Sequence, residues 1–189
     1  MLRKAADSCN LKTISEVLSI CQLEIAAPYC DMIQIGARNM QNFELLKAVG
    51  KMGIPVLLKR GFASTFEEFF CSAEYIMSNG NNRVVLCERG LRSYDPLSQN
   101  VLDLSAVPII KEKTCLPVVV DPSHAAKNKK YVSALALAAI AAGADGLIVE
   151  VHPNPESALS DANQQISLTE YDNLLSQAKK VASAINRSI

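Results

Sequence analysis

The sequence has no surplus charge of either sign: 19 Lys and Arg residues balance 19 Asp and Glu. A neutral chain offers no electrostatic case for bulk nucleic acid or an anionic membrane surface, so any anion site must be local. Long apolar runs are also missing. None approaches the roughly 20 residues that span a bilayer, and the first residues carry no signal-peptide pattern. A cytoplasmic location is therefore expected, with neither nucleic acid nor membrane as a partner. The six cysteines include no C-x-x-C pair, and several fall inside apolar strand or helix patterns, so buried free thiols are the expected state. Neither G-x-G-x-x-G nor the Walker loop occurs, which removes the usual sequence signatures of phosphate cradles.

What is present is a rhythm. A chain of 189 residues with 49% apolar composition can build one substantial core, and a single domain over 1–189 is expected. Met1 to Cys9 reads as the end of an amphipathic helix, and Leu11 to Leu18 contains a strand ending near Glu16. Buried strands follow at Met32–Ile35, Ile54–Leu58, Arg83–Cys87, Leu116–Val120 and Leu147–Glu150. Between them lie helices over Asn42–Gly50, from the overlapping capping boxes Ser64-x-x-Glu67 and Thr65-x-x-Glu68, from about Asp103 to Lys111, and over Tyr131–Ala142. Leu91 to Val101 reads as a loop, and Pro108 requires a place in the first turn of its helix. A last helix follows the capping box Ser167-x-x-Glu170.

Such alternation of short apolar strands and long crossovers specifies α/β architecture with a parallel sheet. Almost every strand ends in a polar or charged group: Gln34 and Arg38, Lys59, Glu88 and Arg89, Asp121 and His124, and Glu150. A rim that collects one functional group per strand is the arrangement of a (β/α)8 barrel, and about six of the eight units are expected here.

Arg38, Lys59 and Arg89 each lie near a glycine at successive strand ends, suited to a ligand bearing phosphate and carboxylate groups. The competing reading pairs each of them with Glu16, Glu88 or Asp121. A carboxylate at the end of Leu147-Ile-Val-Glu150 must be paired or bind metal. With His124 and Asp161 it makes a candidate site of one imidazole and two carboxylates, suited to Mn²⁺, Fe²⁺, Co²⁺ or Zn²⁺. His152 is expected at the rim. Cys87 is expected one layer deeper than Arg89, too far down to ligate.

The motifs Gln34-Ile-Gly-Ala-Arg-Asn-Met-Gln41, Leu57-Leu-Lys-Arg-Gly61, Cys87-Glu-Arg-Gly90, Leu102-Asp-Leu-Ser-Ala-Val-Pro108, Asp121-Pro-Ser-His-Ala125, Ile148-Val-Glu-Val-His-Pro153 and Ala158-Leu-Ser-Asp161 resemble those of 3-deoxy-D-arabino-heptulosonate 7-phosphate (DAHP) synthases in their compact bacterial form. The resemblance implies a TIM barrel that condenses phosphoenolpyruvate with erythrose 4-phosphate, the first step of the shikimate pathway. It also implies a divalent metal held by His124, Glu150 and Asp161. It places the phosphoenolpyruvate phosphate on Arg38, Arg89 and the Ala37 amide, and the carboxylate on Lys59. Lys59 and His124 become the catalytic candidates.

The related 3-deoxy-manno-octulosonate 8-phosphate synthases are the neighbouring alternative. Family members begin with two further βα units, which carry a metal-binding cysteine and a Lys-Pro-Arg-Thr-Ser loop. Their absence here predicts a homo-oligomer, a complementing N-terminal fragment, or an inactive paralogue that binds phosphoenolpyruvate-like anions.

Overall fold

The computed structural model describes residues 1–189, which form two compact units, Met1–Leu86 and Cys87–Ile189. In the first, α1 (Leu2–Ser8) precedes β1 (Ile14–Glu16), α2 (Ile20–Ala26), β2 (Met32–Ile35), α3 (Phe43–Met52), β3 (Val56–Lys59) and α4 (Phe66–Met77). β1 pairs with β2 in parallel, Glu16 opposite Gln34, and β2 with β3, Ile35 opposite Leu58. All four residues of β3 are buried, which is why its sequence shows no polar alternation.

Helix boundaries follow side-chain chemistry. Asn42 accepts the Leu45 N–H at the start of α3, and Gly53 closes that helix in the left-handed region at φ +63°, where a glycine avoids the Cβ clash. Of the two overlapping capping boxes, Thr65 and Glu68 form the real one. Ser64 is buried and donates to Gly61 O instead. Along α4, Phe69, Ala73 and Ile76 enter the core. Phe66 lies beside the Arg60 guanidinium, 4.1 Å from the ring centroid, a cation–π contact.

Asp31 ties α1 to the start of β2. Its carboxylate accepts from Thr13 N–H and from the Arg3 guanidinium, and these bonds, the Thr13 amide first, hold it well below the usual carboxylate range. A depressed folded pKa adds stability above the unfolded value near 3.9 and loses it as pH falls towards the folded value. Asp31→Asn should therefore lower the urea midpoint at pH 7, with the gap to wild type narrowing below about pH 4. A gap independent of pH would refute the assignment.

β4 (Val84–Glu88) crosses from the first unit into the second. On the first side Val56 N–H donates to Arg83 O, and on the second Asp121 N–H donates to Glu88 O. The second unit continues with β5 (Leu91–Arg92), β6 (Asn100–Val101), α5 (Ala106–Lys113), β7 (Val118–Val120), α6 (Pro122–Ala126), α7 (Lys129–Ala141), β8 (Gly146–Leu147) and α8 (Leu168–Ala184). The six-stranded sheet runs β1-β2-β3-β4-β7-β8, the sequential order of TIM-barrel strands, so six βα units of that fold are present.

Three local expectations change in this unit. The stretch read as a loop contains an antiparallel pair, Leu91 opposite Val101. Asn128 caps α7 by accepting the Lys130 N–H, so the helix opens at Lys129 rather than Tyr131. β8 pairs regularly with β7 only at Gly146 and Leu147, because Glu150 N–H turns to Ser123 Oγ and Glu150 O receives Ile166 N–H. Pro108 does fall in the first turn of α5, and Ser167 with Glu170 does form the capping box of α8.

Val132 and Ala136 of α7 pack with Ile166 and Leu174, and Ile140 packs with Ala178 and Ala182. The cysteines depart from expectation. Only Cys87 is buried, Cys30 is half-buried, and Cys9, Cys21, Cys71 and Cys115 are exposed and free. Cys21 and Cys71 lie on helices whose inward positions are taken by Leu23 and by Phe69, Ala73 and Ile76. No helix is long and apolar enough to cross a membrane.

Candidate metal centre

The centre begins where β7 ends. Asp121 is fully buried and caps α6, its Oδ1 accepting the His124 N–H at 2.9 Å, while Pro122 supplies the first helical residue. An Asp-Pro-x-His sequence is thus a cap that raises its histidine one turn later. The other oxygen, Oδ2, lies 2.7 Å from His124 Nδ1. A carboxylate on one ring nitrogen is the usual way a metal-binding imidazole is oriented, and it turns Nε2 towards the other ligands.

Nε2 faces Glu150 Oε1 at 3.3 Å. The second oxygen of Glu150, Oε2, accepts from Gln164 Nε2 at 2.7 Å, and Gln164 is only 2% exposed. Ser123 Oγ holds the Glu150 backbone N–H, and Gln164 N–H donates to Asp161 O. Asp161 sits at φ +52°, a region that Asp tolerates better than most residues. Ligand atoms of His124, Glu150 and Asp161 all lie within 4.8 Å of one another.

This donor set fits a divalent cation. Two carboxylates and an imidazole nitrogen converge, with one oxygen of Glu150 held by the Gln164 amide and the other turned towards His124 within the cluster. Such a mixture of nitrogen and oxygen donors suits Mn²⁺, Fe²⁺, Co²⁺ or Zn²⁺ better than an all-oxygen calcium cage.

Of the other expected residues, Arg89 is buried at the exit of β4, its Nη1 donating to Gly90 O, while Glu88 accepts the Gly90 N–H at 2.6 Å. Lys59 is buried at the exit of β3. Arg38 is exposed and Ala37 half-buried in a short 3-10 turn straight after β2. Gly36 before that turn leaves room for the Glu16 carboxylate, since a Cβ there would lie 2.0 Å from Oε1. His152 accepts the Asn154 N–H through Nδ1 and takes no part in the cluster. Cys87 directs its thiol to Glu88 O.

The roles of Asp121, Ser123 and Gln164 were not anticipated. For Asp121 a signal existed, because a residue three before the histidine is the position of an N-cap. Nothing local points from Gln164 back to Glu150. Replacing Gln164 by Leu should weaken Mn²⁺ binding roughly tenfold by releasing Oε2, as loss of outer-shell partners commonly does. Calorimetric titration checks this, and unchanged affinity would remove Gln164 from the site.

A family model described as the DAHP synthetase I family matches residues 1–187. The chain belongs to the DAHP synthetase I family. It is 50% identical over 184 residues to the phospho-2-dehydro-3-deoxyheptonate aldolase of Thermotoga maritima, covering 97% of this chain and 54% of that protein. The chain therefore spans about half the length of that relative. A solved truncated form of the T. maritima DAHP synthase superposes with a TM-score of 0.97 at 49% identity, over 99% of this chain and 71% of that one. A 2-dehydro-3-deoxyphosphooctonate aldolase of Desulfotalea psychrophila is 32% identical, over 97% of this chain and 69% of its own. Membership in the DAHP synthetase I family accounts for the sequential strand order and for the concentration of polar groups at strand exits.

Proposed function

We propose that this chain serves the condensation of phosphoenolpyruvate with erythrose 4-phosphate to DAHP, in the cytoplasm, at the head of aromatic amino acid biosynthesis. The observation that supports this most is the His124, Glu150 and Asp161 cluster in a chain 50% identical to a phospho-2-dehydro-3-deoxyheptonate aldolase. In the reaction, C3 of phosphoenolpyruvate bonds to the aldehyde carbon, water enters at C2 and inorganic phosphate leaves. A bound divalent ion would supply Lewis acidity towards the aldehyde oxygen. His124, Glu150 and Asp161 would hold that ion, with Asp121 and Gln164 fixing the first two. Arg38, Arg89 and the Ala37 amide would bind the phosphate of phosphoenolpyruvate, and Lys59 its carboxylate. Cations held in place before reaction stabilise the charge that shifts to the leaving phosphate.

The 32% identity to an octulosonate aldolase supports a second reading with the same phosphoenolpyruvate half. Carbon counting separates the two. A heptulosonate needs a four-carbon aldose phosphate and an octulosonate a five-carbon one.

The test is phosphate release from phosphoenolpyruvate by the chain with Mn²⁺, offered each aldose phosphate in turn. Release with erythrose 4-phosphate that stops on chelation supports the proposal. Preference for the five-carbon sugar supports the alternative. Binding of phosphoenolpyruvate without turnover identifies an anion-binding protein, and Lys59→Met should then weaken that binding.

A further inference from the structure

Resting on the metal site described above, one residue beside it has a role that site geometry alone does not require. Lys127 follows α6, the short helix that carries His124, and takes a left-handed backbone at φ +54°. Glycine is the default at such a helix terminus, because it has no Cβ to clash there. A lysine in this place is not explained by backbone stability. Its ammonium lies 3.5 Å from Asp161 Oδ1, with the two side chains 33% and 44% exposed. One short helix therefore delivers both an imidazole donor to the site and a cation to one of the site's carboxylates.

Lys127 and Asp161 border a cavity of about 280 Å³, together with Asn128, Asn163 and Gln164. That volume can receive the ammonium once it leaves the carboxylate. An ammonium beside the carboxylate offsets the negative charge it offers a divalent ion, and the positive charge itself repels the ion.

We propose that Lys127 is a resident counter-ion of Asp161, which competes with the divalent cation for that carboxylate and sets the metal affinity of the site below what its three ligands would give. In the absence of metal the ion pair holds Asp161 in place. When metal binds, the ammonium is displaced towards the polar cavity.

The test compares Mn²⁺ titrations of the whole chain with Lys127→Met, which removes the charge, and Lys127→Arg, which keeps it. Lys127→Met should bind Mn²⁺ about fivefold more tightly, the scale of one partly exposed ion pair, while Lys127→Arg stays close to wild type. A third variant, Lys127→Gly, should match Lys127→Met if charge rather than backbone conformation is responsible. Equal affinity in wild type and Lys127→Met, or weaker binding in Lys127→Met, would overturn the role of Lys127 and leave the metal site standing. Absence of Mn²⁺ binding in every variant would overturn both.

Discussion

His124→Ala should reduce divalent metal affinity at least about 100-fold, the largest single effect expected in this protein. The imidazole is the one nitrogen donor in the cluster, and it is held by two bonds from one carboxylate, through Nδ1 and through the backbone N–H. Removing the ring therefore takes away a ligand and the charged contact that fixes it. The remaining Glu150 and Asp161 form a two-carboxylate pair that a divalent ion binds weakly and with little preference among metals. Mn²⁺ titration by calorimetry, with circular dichroism to confirm the fold, checks the loss. Retained affinity within about threefold of wild type would mean that the ion binds elsewhere. Glu150→Gln is the companion measurement, since it keeps volume and the possibility of a hydrogen bond to Gln164 while removing the charge that the cation needs.

Gly90→Ala should lower stability by about 2–4 kcal/mol and weaken the same metal site at a distance. Gly90 lies at φ +89° immediately after Arg89, so an L side chain is strained there before any contact is considered. A Cβ would also lie 3.0 Å from Cα and Cβ of Ala125 and from Cβ of Asn100. Ala125 follows His124 in α6, and the Asn100 amide donates to His124 O at 2.9 Å. Both neighbours that must give way thus support the histidine. Urea denaturation measures the first effect and Mn²⁺ titration the second. A variant as stable as wild type would show that α6 tolerates displacement, contrary to the close packing seen around Gly90.

Much of the site could be read in the chain because its pieces are local. The strand exits carry their polar groups within a few residues of an apolar run, and Asp121 with His124 spans a single cap and turn. The capping boxes of α4 and α8 are likewise three-residue spacings, although two overlapped before α4. Burial of Ser64 against Gly61 O decided between them, and no propensity distinguishes Ser64 from Thr65 at that level.

Other features depend on residues brought together from distant places in the sequence. The shortness of β8 arises from the demand of Ser123 on the Glu150 backbone, a bond between segments 27 residues apart with no shared periodicity. The exposure of four cysteines depends on which neighbours of each helix claim the inward face, which a count of apolar residues does not record.

The order of the six parallel strands, the α/β class and the three candidate ligands were legible in the sequence itself, because hydrophobic period and strand-end chemistry act over short spans. Tertiary structure alone decided which oxygen of Glu150 is held by Gln164 and which faces His124. It alone placed the Lys127 ammonium against Asp161. Hydrogen bonds and ion pairs of that kind depend on positions set to within an ångström or less, and only the packed chain sets them.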